Sequence, residues 1–192
     1  MKRRVPVVIA AVALAACGIG DRGAATSRRY AVGHEATPAE IAALDVDVGP
    51  DGQGLPPGRG TVAQGELLFA QTCAVCHGPA GRGLLPKYPA LVGRSPAGGE
   101  FAFGTDPNTP RTIGDYWPYA TTLFDYVRRA MPQPAPGMLT NDQVYALTAW
   151  LLAANKVIPM DATLDAASLK AVKMPAAGRF VRDNRRGGPE IR

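Results

Sequence analysis

The chain has 192 residues, including 22 Gly and 18 Pro, with 46% apolar and only 19% charged residues. Charge is below the usual ~25%, and Gly plus Pro stays under the ~25–30% that marks low-complexity disorder, so the composition fits one loop-rich domain with extensions and excludes two large domains. Three cysteines, an odd count, argue against a disulfide framework, and no apolar run approaches the ~18 residues of a membrane-spanning helix.

Residues 1–16 (MKRRVPVVIAAVALAA) place Lys2, Arg3 and Arg4 before an apolar run from Val5 to Ala16. This is the pattern of a secretory signal peptide. Its removal takes away three cations and no acid, so the formal net charge falls from +5 to +2. No basic cluster interleaved with aromatics remains, and nucleic acid is not an expected partner. Leu14-Ala15-Ala16-Cys17 resembles the bacterial lipobox, whose cysteine is acylated and becomes the first mature residue. Several acyl chains, at ~0.8 kcal/mol per buried CH₂, anchor a protein stably where one would not. Gly18 follows in place of the Asp of inner-membrane retention, so the expectation is a periplasmic lipoprotein, outer membrane in preference to inner. The plainer alternative is an ordinary cleaved signal with Cys17 incidental.

Residues 17–60 read as a tether, one short helix and a linker. Thr37-Pro38-Ala39-Glu40 combines an N-cap, Pro at the first helical position and Glu three after the cap, with Ile41 and Leu44 on one face. Residues 49–60 (GPDGQGLPPGRG) break that helix. A second helix is predicted over 61–72, with Gly65, Leu68, Phe69 and Thr72 on one side. A long Gly/Pro loop over 78–119 precedes a helix over 121–130 carrying Leu123, Tyr126 and Val127. The last helix, 141–155, starts from a Thr140/Gln143 capping box and repeats Val144, Leu147, Thr148, Leu151 and Leu152 at the 3.6 period. The compact region is thus 61–155, followed by an extension, 156–192, with a weak helical signal over 166–172. A core this small and loop-rich is a candidate for a bound or covalent staple.

Cys73-Ala74-Val75-Cys76-His77 supplies one. The spacing C-x-x-C-H reads as a c-type haem attachment site: two thiols about one helical turn apart reach the two vinyl groups, and the adjacent imidazole becomes an axial iron ligand. A redox dithiol needs no His there. Structural zinc needs four ligands, whereas the only other His is His34 and the only other Cys, Cys17, is read as the acylated one. The expected cofactor is one covalently bound haem c. For the sixth ligand, Met131 is favoured because it ends a helix and precedes Pro132, which forces an extended turn. Met138, two residues before the Thr140 cap, and His34, in the tether, are the alternatives.

With Gly65 and Phe69 before CAVCH, Pro89-Ala90-Leu91, Met131-Pro132 and a last helix carrying Trp150, the core resembles a class I cytochrome c. The resemblance implies an all-α fold of three to four helices around one haem, here with long N- and C-terminal extensions. It implies that the first and last helices cross at Gly65, with Phe69 meeting Trp150. It also implies that the Pro89 carbonyl accepts a hydrogen bond from His77 Nδ1 and that Leu91 packs on the haem. Trp117, Tyr119, Arg94 and Arg128 are candidates for bonding the haem propionates, weighed against ordinary packing and solvated charge.

The stretches ATPAEIAALDVDVGPDGQGLPPGRGTVAQGE, IGDYWPYATTLFDYVRRAMP and LTNDQVYALTAWLLAANKVIP, with VKMP after them, resemble the cytochrome subunit of bacterial sulfite dehydrogenase and of the Sox sulfur dehydrogenase. This implies a molybdenum-containing catalytic partner and a downstream cytochrome c or oxidase. Substrate oxidation there releases two electrons and one haem holds one, so the chain is expected to be an electron carrier, not itself an enzyme. The alternatives are a general membrane-tethered cytochrome c for another dehydrogenase, or a haem sensor or peroxidase if the methionine is displaced.

Overall fold

The computed structural model describes residues 33–94, 106 and 108–181. The signal peptide of residues 1–16 and the anchor at Cys17 lie outside them. The chain divides into two units, residues 1–41 and 42–192. In the first, α1 (Pro38–Leu44) begins. Glu40 Oε2 accepts from the Thr37 amide at 2.8 Å and Thr37 Oγ1 accepts from the Glu40 amide at 3.3 Å, the reciprocal cap expected there. No residue of α1 is buried.

The second unit contains β1 (Arg59–Thr61), α2 (Val62–Thr72), α3 (Ala74–His77), α4 (Ile113–Tyr116), α5 (Ala120–Ala130), α6 (Asn141–Ala154), β2 (Thr163–Asp165) and α7 (Ala166–Ala171). α6 is its axis. Thr140 and Gln143 close the predicted capping box, and every residue from Val144 to Ala153 is buried. A helix apolar on all sides must be covered on all sides. α2 crosses it with Gly65 against the Ala146 backbone and the Phe69 and Trp150 rings 4.1 Å apart. α5 packs the Phe124 ring 4.5 Å from Tyr145. Burying a side chain of this kind contributes about 1.5–3 kcal/mol.

A third side of α6 is covered by structure that the all-α expectation lacks. β1 and β2 pair antiparallel, with Arg59 opposite Asp165, Gly60 opposite Leu164 and Thr61 opposite Thr163. Gly60 sits directly on the Ala146 backbone. Among the described residues the fold is therefore mostly helical with one two-stranded sheet. β2 delivers the C-terminal extension to its own domain, where Leu164, Leu169, Met174 and Ala176 are buried. A second strap comes from the other end. The buried Val48 donates its amide to Asp125 Oδ1 at 2.9 Å, Arg128 Nη1 donates to the Val46 carbonyl at 2.9 Å, and Thr121 Oγ1 donates to the Pro50 carbonyl at 3.0 Å. Within the predicted 78–119 loop, Thr112 caps the single turn of α4 by accepting from the Asp115 amide.

Candidate cofactor site

α2 ends at Cys73, whose amide still donates to the Phe69 carbonyl, and the chain immediately winds into the single turn of α3. The His77 amide donates to the Cys73 carbonyl at 2.9 Å, so Cys73, Cys76 and His77 share that turn. Gly78, at φ +72, stops it. A Cβ there would meet the Gly83 backbone, so the tight return needs glycine twice over.

These three residues open on a cavity of about 460 Å³, within the usual range for small-molecule and cofactor sites. Phe69 of α2 and Leu147 and Leu151 of α6 form its floor. Leu123, Tyr126 and Val127, one face of α5, form a wall that ends in Met131 and Pro132. Met131 is extended (φ −122, ψ 145), as Pro132 demands of the residue before it. Tyr88, Pro89, Leu91, Ile113 and Trp117 line the remainder.

Burial holds the His77 imidazole below its ordinary pKa, and the neutral ring is the form that ligates metal. Its Nδ1 is buried without a hydrogen-bond partner. The Pro89 carbonyl, expected to take that bond, does not accept it. Pro89 reaches the cavity just after an isolated bridge between Leu84 and Tyr88, and that bridge fixes the loop backbone. Tyr88 instead meets the imidazole edge-on, with ring centroids 6.1 Å apart. Burial also pushes the Cys73 thiol up, with the neighbouring Cys76 adding and the Thr72 hydroxyl opposing. The Thr72 hydroxyl lies 3.4 Å from Cys73 Sγ and donates to the Leu68 carbonyl at 2.7 Å. A raised thiol is the opposite of what a redox dithiol uses. Among the described residues no group of three or more His, Cys, Asp or Glu forms a metal cluster.

Not every expected residue reaches the cavity. Cys73, Cys76, His77, Pro89, Leu91, Trp117 and Met131 line it, whereas Arg94 and Tyr119 do not. Arg94 Nη1 donates to the Lys156 carbonyl at 2.7 Å, because the end of α6 leaves that carbonyl without a helical partner. Tyr119 is the N-cap residue of α5 and is 42% exposed, its carbonyl taking the Thr122 hydroxyl. Trp117 Nε1 donates to Thr122 Oγ1 at 3.0 Å, and Arg128 is committed to Val46. Met138 is exposed, and so is His34, beside Glu40. Tyr88 and Ile113 were not singled out by the sequence reading. Tyr88 stands directly before Pro89, which was a usable signal, whereas Ile113 sits in a turn too short to show a period.

Two thiols, one imidazole and one thioether thus converge on one apolar cavity. That donor set fits haem c. Residues 60–151 match the family model described as cytochrome C oxidase, cbb3-type, subunit III. A chain in the crystal structure of the sulfane dehydrogenase SoxCD from Paracoccus pantotrophus is 44% identical, with a TM-score of 0.70 over 81% of this chain and 73% of that one. The chain belongs to the c-type cytochromes related to SoxCD. No curated protein matches it. The family match takes in both thiols, His77 and Met131 of this cytochrome. The SoxCD match covers more of it than the family match, so it includes part of the flanking segments.

Proposed function

We propose that this cytochrome carries single electrons from a molybdenum-containing sulfite or sulfur dehydrogenase subunit to a downstream cytochrome c or oxidase. Its fold on this reading is that of a class I cytochrome c with one haem. The observation that carries the reading is the convergence of Cys73, Cys76, His77 and Met131 on one apolar cavity, in a chain 44% identical to one in a sulfane dehydrogenase structure. When bound, the haem supplies a one-electron ferric/ferrous couple.

The chain's own residues hold and insulate that group. Cys73 and Cys76 would form thioethers and fix its face against α3. His77 and Met131 would be the residues that ligate its iron. Phe69, Leu147, Leu151 and the α5 wall keep water from the floor. Val75, 77% exposed on the outer side of the attachment turn, marks where the cavity meets solvent and where a partner would make the small, charge-steered contact typical of electron transfer.

The same reading puts the protein in the periplasm, held to the membrane by acylated Cys17, on the strength of the signal and lipobox pattern of residues 1–17. Mass spectrometry of the mature N-terminus tests that part, since a peptide beginning anywhere other than Cys17 rules the anchor out. Stopped-flow mixing with sulfite and a molybdenum sulfite dehydrogenase tests the partner. Reduction of the haem within turnover is expected, and an oxidised haem after complete sulfite turnover contradicts it.

A further inference from the structure

α6 closes with a Schellman arrangement. The Lys156 amide donates to the Ala153 carbonyl at 2.8 Å and the Val157 amide to the Leu152 carbonyl at 2.9 Å, around Lys156 at φ +58. Asn155, the C-cap, is carried inward and is 1% exposed. A carboxamide in that position is costly unless each of its polar groups is paired. Nδ2 donates to the Leu151 carbonyl at 2.8 Å and the Leu91 carbonyl at 3.2 Å, while Oδ1 accepts from the Gly93 amide at 3.0 Å and the Gly114 amide at 3.1 Å. Both donors and the acceptor are fully used.

The two loop segments gripped in this way are also bonded to each other. The Ile113 amide donates to the Leu91 carbonyl at 3.0 Å and Thr112 Oγ1 donates to the Gly93 carbonyl. Their approach is close: a Cβ on Gly114 would press on Asn155 Oδ1 and the Gly93 carbonyl. Leu91 and Ile113, one from each segment, line the cavity, and Asn155 does not.

We propose that Asn155 is a positioning residue for the haem site. Its carboxamide staples residues 91–93 to residues 112–114 and so holds Leu91 and Ile113 as one apolar wall against the bound group. The inference rests on the haem reading above. The apolar shell of such a site sets its solvent access and hence its potential, and water admitted beside the group favours the more highly charged ferric form.

The test uses holoprotein variants, read by amide hydrogen exchange and by redox titration. In Asn155→Ala the Gly93 and Gly114 amides exchange about tenfold faster and the midpoint potential falls. Asn155→Asp keeps the oxygen that accepts from both amides but loses the donors to the Leu91 and Leu151 carbonyls, and should retain more protection at Gly93 and Gly114 than Asn155→Ala does. Leu169→Ala, a fully buried site that does not line the cavity, lowers stability and leaves the potential unchanged. An unchanged potential in Asn155→Ala, or an equal shift in Leu169→Ala, overturns the positioning role. A wild-type protein that binds no haem overturns the functional reading instead, and the amide protection then still reports on the staple.

Discussion

Gly65 lies so close to the Ala146 carbonyl that a Cβ on residue 65 would overlap both that carbonyl and the Trp150 Cβ. The obstruction is backbone, which cannot swing aside, so the crossing of α2 over α6 depends on the missing side chain. Gly65→Ala should destabilise the holoprotein by about 1–3 kcal/mol or more, as overpacking does. Urea unfolding measures it, and a loss under about 0.5 kcal/mol would mean that the helices slide past each other freely.

Met131 and Met138 separate cleanly, since one lines the cavity and the other is 62% exposed. Met131→Ala should abolish the far-red charge-transfer band that ferric haem shows with a methionine ligand, whereas Met138→Ala should leave it intact. The reverse pattern would assign the ligand to Met138.

How far these features could be read from the chain depends on their length. The Thr140/Gln143 box and the long period of α6 are written in one continuous segment, as is the CAVCH turn. The Thr61/Gln64 capping box that starts α2 lies in one continuous segment in the same way. The strands were not visible, because three residues cannot establish an alternation and Gly60 meets Leu164 only after the whole domain has folded between them. That Arg94 and Tyr119 stand outside the cavity lining has a related cause. Each sits in irregular chain, where no period fixes the direction of a side chain. Asn155 gave no signal beyond its place at a helix end, since its four partners come from two distant loop segments and from its own helix.

Asp125 joins the N-terminal strap to α5. Burial raises its carboxyl, but the Arg129 hydrogen bonds, the Val48 amide and the charges of Arg129 and Arg128 outweigh this and hold it below the ordinary range. A depressed carboxylate contributes its full stability above the unfolded value of ~3.9 and loses it as pH falls through the lower folded value. Asp125→Ala should therefore cost about 1–3 kcal/mol at pH 7, much of it from the stranded Val48 amide. The gap between wild type and variant should narrow below about pH 4. Urea midpoints at pH 7 and pH 3 check both the size and the sign.

Lys156 holds φ +58 at the position after the C-cap of α6, where glycine carries no Cβ penalty. The bond it receives from Arg94 goes to its carbonyl and survives any change of side chain. Lys156→Gly should raise stability by up to about 1 kcal/mol, seen as a higher melting temperature with an unchanged visible spectrum. A lower melting temperature would show that the lysine side chain contributes more than its backbone strain costs.

The central claim is that Cys73 and Cys76 hold a haem covalently. Mass spectrometry of the exported protein under denaturing conditions tests it most directly. The predicted result is the polypeptide plus one haem, with the haem lost when both cysteines are replaced by alanine. A mass equal to the polypeptide alone, or a haem that leaves on denaturation, would contradict it.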